Sequence, residues 1–464
     1  MTNWQPNLEG RSGPRYIAIA DALATDLAAG RFKPGERLPT HRDLAWRLGV
    51  TVGTVSRAYA EAERRGLISG EVGRGTYVRG PDLTVTNFNF DSSDPPSAAI
   101  DLSTARPTLG IETARLGRTL AALAEDPQTM TLLGYQPHAG RPEHRAAGAD
   151  WLSRRGLEVS PDGVVVTNGG NHGILTALAA AAKPGDRILA ERLTYALLQP
   201  TIRMLGLRLE AVAQDREGLI PEAVEAACQA NDVKALYCIP TIQNPTTATM
   251  SEARRRAIVK VAERHDLAIL EDDIFALLAE APAPPIASLA PDRTYYITSL
   301  SKTVAPGLRV GYVAPPADAV ERVTDMVRAS SVTAGPISAE IASRWIREGT
   351  ADHVLEGHKR EAAARRACVL ELLGDWEIDC PAGSLHAWLQ LPEPWRSAHF
   401  AAEAKRRGVL VAPAEAFAIG RREVPYAVRL GLGPPRDRAE LETGLRRLAD
   451  MLREGPSDTY GAIV

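Results

Sequence analysis

The chain has 464 residues, 45% of them apolar and 24% charged, with a formal net charge of −3. Such a length holds two or three domains and a large core, and such a composition excludes a disordered or fibrous chain. The net charge names no partner, but its distribution does: residues 1–80 carry 12 Lys+Arg against 8 Asp+Glu, or +4, which leaves −7 for the remainder. A basic head on an acidic body points to a nucleic-acid module joined to something else. The four cysteines, Cys228, Cys238, Cys368 and Cys380, show no CxxC spacing and read as core thiols rather than a disulfide or zinc framework. "MTNWQPNLEG" lacks a signal pattern and no apolar run reaches the ~18 residues of a membrane span, so a cytoplasmic protein without membrane contact is expected.

In chain order, "YIAIADALATDLAAG" repeats apolar residues at helical spacing and stops at Gly30. "RFKPGERLPT" is a Pro/Gly connector. "HRDLAWRLGVTVGTVSRAYAEAERRGLI" then predicts two short helices around a tight turn, with Leu44, Leu48, Val55 and Tyr59 facing the core. Gly49 ends the first helix and the Thr51 hydroxyl caps the second. That is helix-turn-helix geometry, and "LISGEVGRGTYVRG" follows as a two-stranded wing.

"GERLPTHRDLAWRLGVTVGTVSRAY" with "GRGTYV" at Gly73–Val78 resembles the winged helix of GntR-type regulators. The resemblance implies operator DNA as a partner. Arg42, Thr54, Ser56 and Arg57 would meet phosphates and base edges, and Arg74 would reach a minor groove from the wing. Val52 stands where many relatives carry arginine, which removes one expected contact.

Residues 81–97, with "DSSDPP", fit neither helical nor strand periodicity and read as a linker between a DNA-binding domain at 12–80 and a body at 98–453, followed by a tail at 454–464. Seventeen extended residues reach ~55 Å, enough to set the winged helix over a neighbouring subunit. The body alternates helices with short apolar strands, which predicts an α/β domain with a mostly parallel sheet.

Four strand ends in the body are polar. "GVVVTNGGNHGILTALAAAA" is a strand, a glycine turn and a helix start, whose free N–H groups favour an anion. "LYCIPTIQNPTTATMS" ends in Asn244-Pro245, "LAILEDDIF" in carboxylates and "YYITSLSKTVAPGLRVGY" at Lys302. Ligands of open α/β sheets sit at the carboxyl ends of strands, so the four ends converge on one pocket. An aldehyde cofactor needs a lysine amine, a pyridine electron sink needs an acid at its nitrogen, and a phosphate needs backbone donors and a fixed cation. Lys302, Asp272, the Gly169–Asn171 turn and Arg309 supply these items.

These loops in this order resemble fold-type I aminotransferases that bind pyridoxal 5′-phosphate, and their fusion to a GntR-like winged helix resembles the MocR/GabR-type regulators. The resemblance implies a mostly parallel sheet with a small C-terminal α+β subdomain. It carries the Schiff-base role to Lys302 of "SxSK", and phosphate contacts to Ser299, Ser301, Arg309, Gly170 and Asn171, the last two departing from the usual Gly-Ser-Gln. Tyr195 matches the residue stacked on the ring, Asn244 the ring-hydroxyl partner, and Asp272 the nitrogen partner, with Asp273 as a substitute. Tyr135 resembles the tyrosine that reaches the opposite subunit's phosphate, which implies a homodimer, domain-swapped head to tail. Arg429 matches the clamp for a ligand carboxylate. A glycine is usual where Thr247 stands. A tyrosine is usual after the aspartate, where this chain has Ile274 and Phe275, so turnover is expected to be weak or absent.

The resulting expectation is a regulator whose body senses an amino compound through external aldimine formation at Lys302, with an inclination toward ectoine-derived diaminobutyrate or taurine. The alternatives on the same residues are a working aminotransferase with an appended DNA-binding domain and a vitamin B6-sensing regulator.

Overall fold

The computed structural model describes residues 4–6, 14–28, 31–32, 36–64, 67–71, 75–78, 99–108, 113–420 and 424–456. The chain divides into two compact units, Met1–Asn89 and Phe90–Val464. The expected linker, nearly all of the expected tail and Arg74 lie outside the described residues.

The first unit holds helices α1 (Arg15–Ala28), α2 (His41–Leu48) and α3 (Val52–Arg64) and the antiparallel pair β1 (Ile68–Glu71) and β2 (Gly75–Val78). Local chemistry sets the helix ends. The Thr40 hydroxyl accepts the Asp43 N–H at 3.2 Å to open α2, and Gly49 closes it at φ 61°, a left-handed conformation in which glycine has no Cβ penalty. The Thr51 hydroxyl accepts the Thr54 N–H at 3.2 Å and caps α3. Ile19, Leu23, Leu44, Val55 and Tyr59 form the buried core, with Leu48 at its margin. Residues 36–38 of the connector pair with β2: the Leu38 N–H bonds Thr76 O and the Val78 N–H bonds Glu36 O, which adds a short third strand edge to the wing.

The second unit is built on a seven-stranded sheet in the order β4 (Val165–Thr167), β12 (Gly311–Ala314), β11 (Thr294–Ser299), β10 (Ala268–Asp272), β9 (Ala235–Cys238), β5 (Arg187–Glu191) and β6 (Arg208–Val212). The strands run parallel except β12, which is antiparallel to both its neighbours. β9 and β11 are buried along their whole lengths and β10 is buried beyond its first residue, which fits their mostly apolar and aromatic sequences. With β12 reversed, β4, β9, β10 and β11 point the same way, and their carboxyl ends share one edge. A short hairpin, β7 (Gln214–Asp215) and β8 (Gly218–Leu219), sits beside this sheet's sequence.

A smaller sheet has the order β13 (Ile378–Asp379), β14 (His386–Gln390), β16 (Ala427–Gly431), β15 (Val409–Pro413) and β3 (Ile100–Leu102). The small subdomain is therefore not wholly C-terminal. β3, the first strand of the unit, adds to its edge in parallel with β15, because Ile100 and Leu102 bury against the same apolar cluster as Leu441, Leu445 and Leu448. The chain after β3 packs so tightly on the end of β16 that a Cβ on Gly431 would lie 1.9 Å from Thr104 O, and one on Gly433 1.7 Å from Arg106 O.

Backbone atoms cannot yield as side chains do, so Gly431→Ala is expected to cost about 2–4 kcal/mol. Gly117→Ala, which meets no atom within 4 Å, is expected to be neutral or slightly stabilising in its helix. Urea midpoints of the two variants, compared with the parent, test this; equal midpoints would remove the close-packing claim.

Candidate functional site

The shared edge of the large sheet brings the candidate residues together. β10 ends in three acids whose side chains alternate across the strand. Asp272 faces the site, fully buried, and accepts the Tyr237 hydroxyl on Oδ2 at 2.6 Å. Burial raises its pKa to about 6, opposed by the Tyr237 and Ile274 hydrogen bonds and by the Lys302 charge. Its other oxygen, Oδ1, is buried without a hydrogen-bond partner. Glu271 and Asp273 turn the other way. Glu271 accepts the Ile286 and Ala287 N–H groups at 2.8 Å each. Asp273 is held by Arg155 at 2.9 Å and Thr241 at 2.7 Å, so it is committed elsewhere and does not substitute for Asp272.

Lys302 follows β11 in a tight turn. Its amine donates to the Ala105 carbonyl at 2.5 Å and lies 5.9 Å from the centre of the Phe275 ring. Burial, first, and the positive charges of Arg429, Arg309 and Arg106 lower its pKa to about 8, with Asp272 opposing. Phe275 is fully buried, and its ring meets that of His386 at 5.5 Å. His386 donates from Nε2 to the Gln243 carbonyl at 3.2 Å, since a carbonyl only accepts. Burial and the Arg429 charge push its pKa down to about 3, so it is neutral.

The anion-favouring turn lies beside Lys302. Gly169, at φ 81°, opens the helix Gly170–Ala181 without a side-chain cap, leaving the first N–H groups uncapped. A Cβ on Gly169 would meet the Arg309 guanidinium at 2.7 Å, and one on Gly170 would meet Ser299 Oγ at 3.4 Å, which fixes Arg309 and Ser299 against the turn. Arg309 donates to Asn168 O at 3.3 Å. Ser301 Oγ is buried without a partner. Asn171 is exposed in the first helical turn.

Arg429 crosses from the small sheet. It is buried, donates to Asn244 Oδ1 at 2.7 Å and to Ser103 O at 2.5 Å, and lies over the Phe417 ring at 4.7 Å. Burial lowers its pKa to about 9. Tyr195 is half-buried, and burial together with the Asp272 charge raises its phenol well above the ordinary value. Tyr135 is not part of this cluster; it stands 96% exposed.

The arrangement holds an unusually weak base, a lysine amine near 8, beside a carboxylate with a vacant buried oxygen, a cation-flanked glycine turn and a buried arginine. It can attack a carbonyl carbon, face a ring N–H and receive two anions. Tyr237, Arg155, His386 and the Ala105 carbonyl were not singled out in the sequence. Tyr237 sits in an apolar strand and reads as core; Arg155 lies 118 residues from its partner.

On the first unit, Arg42 and Arg57 are exposed, Thr54 and Ser56 half-buried. Thr54 and Thr51 share a hydroxyl bond of 2.9 Å, Ser56 meets His41 Nδ1 at 3.4 Å, and Arg57 lies over the Tyr16 ring at 5.4 Å. Trp46, 85% exposed beside these residues in α2, is an additional surface aromatic that the apolar pattern did not mark.

Residues 98–448 match the family model of class I and II aminotransferases, and residues 15–78 that of bacterial regulatory proteins of the gntR family. The HTH-type transcriptional regulator YdeF of Bacillus subtilis is 33% identical, covering 97% of each chain. The HTH-type pyridoxine biosynthesis transcriptional regulator PdxR of Corynebacterium glutamicum is 29% identical over 81% of this chain and 83% of its own. Among solved structures, an archaeal alanine:glyoxylate aminotransferase superposes with a TM-score of 0.73 at 26% identity, covering 85% of this chain and 99% of that one.

Lys302 titrates against its neighbours in a predictable direction. Because its pKa is lowered to about 8 from 10.5, roughly 300-fold more of it is neutral at pH 7 than of an ordinary lysine. Reductive methylation at position 302, followed by mass spectrometry, should rise with a midpoint near pH 8. Arg429→Gln removes a cation and should move the midpoint up; Asp272→Asn removes an anion and should move it down. A midpoint above 10 in the parent would contradict the burial described.

Proposed function

The chain belongs to the class I and II aminotransferase family, with a DNA-binding domain of the gntR family ahead of the aminotransferase body, and from that membership we propose a transcription regulator that binds operator DNA and reads a small amino compound through Lys302. The cofactor is pyridoxal 5′-phosphate. The residues present fit it: Asp272 Oδ1 and Ser301 Oγ are buried oxygens lacking partners, as a pyridine N–H and a phosphate require. Bound there, the group supplies an aldehyde carbon for amines and an electron-withdrawing ring.

The chain's own residues divide the work. Lys302 is the amine that an incoming amine displaces. Asp272 would partner the ring nitrogen. Ser299, Ser301, Arg309, Gly170 and Asn171 would hold the phosphate. Asn244 would partner the ring hydroxyl, and Tyr195 would stack on the ring. Arg429 receives an anionic group, so the effector pairs an amine with a carboxylate or a sulfonate, as in diaminobutyrate or taurine. Arg42, Thr54, Ser56 and Arg57 are the DNA contacts of the described helices.

One observation carries regulation over turnover: Phe275, buried against His386, leaves no phenol at the position where relatives bond the ring hydroxyl. A second reading, that the cofactor itself is the signal, is favoured by the similarity to PdxR, a pyridoxine biosynthesis transcriptional regulator.

Spectral titration of the purified protein with a panel of amino compounds, followed by a DNA-binding assay on its own upstream region, tests the proposal. The compound that shifts the visible band is expected to change DNA affinity by about 10-fold, a coupling of ordinary size. Lys302→Ala should lose the band. Sustained turnover at enzyme rates, roughly 1–10³ per second, with unchanged DNA affinity would make the body an enzyme; an affinity change on cofactor alone would select the B6-sensing reading.

A second copy of the chain is the expected partner of the exposed apolar side chains Leu120, Met130, Leu133 and Tyr135, clustered in one stretch of sequence. The double substitution Met130→Asp, Leu133→Asp should weaken self-association at least about 100-fold, since each loses about 1.5–3 kcal/mol of burial. Sedimentation equilibrium checks this, and an unchanged dimer would place the interface elsewhere.

A further inference from the structure

Two of the side chains that meet ligand in the proposed reading end on the same short segment. Residues 101–106 begin within β3 and continue past its end along the site. Asp101 shapes the segment: Oδ1 accepts the Ser103 N–H at 2.8 Å and its hydroxyl at 2.6 Å, and Oδ2 accepts the Thr104 hydroxyl at 3.3 Å. On one side it lies against Gly431 and Gly433, where no Cβ fits. On the other, Ser103 O accepts Arg429 Nη2 and Ala105 O accepts Lys302 Nζ, each at 2.5 Å.

The Ala105 bond depends on the chemical state of Lys302. A free amine or ammonium has two or three hydrogens to donate. When the nitrogen joins an aldehyde carbon, the aldehyde oxygen leaves as water with two hydrogens taken from the nitrogen, and at most one remains on the resulting C=N. A buried carbonyl that loses its donor is left unsatisfied, and the segment that carries it loses one of its two ties to the site.

We propose that residues 101–106 are a strap that senses Lys302: the Ala105 carbonyl seats the free amine, and the strap loosens when that nitrogen is held as an imine. The proposal rests on the reading that Lys302 forms the Schiff base. An amine effector that displaces Lys302 restores the amine and re-seats it on Ala105, while the effector's anion competes with Ser103 O for Arg429. The strap thus converts the covalent state of one nitrogen into backbone order. In sequence it lies three residues beyond the segment 81–97, read as the linker to the gntR-type domain.

Hydrogen exchange of the full-length protein, followed by mass spectrometry on peptides spanning 99–108, tests this in three forms: cofactor-free, loaded with pyridoxal 5′-phosphate, and loaded with pyridoxamine 5′-phosphate, which cannot form an imine with Lys302. The pyridoxal form is expected to exchange roughly fivefold or more faster than the other two, the factor that one net hydrogen bond supplies. In Lys302→Ala the two cofactor forms should exchange alike. Equal exchange in the parent's forms, while the imine's visible band is present, overturns the strap and leaves the Schiff base standing. Absence of that band, and of a Lys302 adduct after borohydride reduction, overturns the Schiff-base reading and the strap with it.

Discussion

The body is organised around burying opposite charges at the ends of parallel strands. Asp272 and Arg429 are buried and Lys302 is partly so, and each is driven toward its neutral form: the two cations down to about 8 and about 9, the acid up to about 6. Desolvating an isolated charge costs several kcal/mol, and only close partners offset it. The sheet provides them by geometry. With β12 reversed, the remaining central strands deliver their polar ends to one edge, and the small sheet lends Arg429. Two further buried ion pairs flank this cluster: Arg155 on Asp273 and Arg255 near Glu271 at 3.6 Å occupy the acids on either side of Asp272. Asp272 is thereby left as the acid with an open oxygen.

That division of the "EDD" run explains which parts of the site the sequence could express. A fully apolar strand ending abruptly in acids is visible as a pattern, as are a lysine among small hydroxyl residues and a glycine turn before a helix. These gave Lys302, Asp272, Arg309, Ser299 and Gly170, and the structure gathers them. Which of two adjacent acids faces the pocket follows from strand alternation. What holds the other does not, since Arg155 comes from a helix end far away in sequence. Backbone acceptors leave no mark at all: nothing about Ala105 announces that its carbonyl receives the Lys302 amine. His386 was invisible for a different reason. It lies in an apolar strand, "LHAWLQ", where one polar residue reads as a satisfied core histidine, and its meaning comes only from its contact with Phe275.

The fold itself was legible in outline because helix and strand periods differ and the winged helix carries strong cap signals. Gly49 and Thr51 act as their residue types dictate. The placement of β3 has a physical cause too. "IDLS" alternates like any short strand, and its parallel addition to β15 is decided by apolar burial against Leu441 and Leu445, contacts with residues more than 300 positions later. Sequence periodicity predicts that a strand exists; long-range burial decides which sheet takes it.

In the proposed reading, Phe275 and Arg429 belong to a body that binds rather than turns over. The buried Phe275 ring packs against His386, which burial keeps neutral and which offers no phenol. Asn244 is engaged by Arg429 at 2.7 Å, so one amide oxygen holds the clamp that the proposed effector would claim. An effector anion that takes Arg429 would therefore relax contacts on two segments, at Asn244 and at Ser103. Binding energy is then divided between gripping the effector and rearranging the walls, and the share spent on rearrangement is what a regulator can pass on. An enzyme would instead reserve that share for interactions made in the transition state.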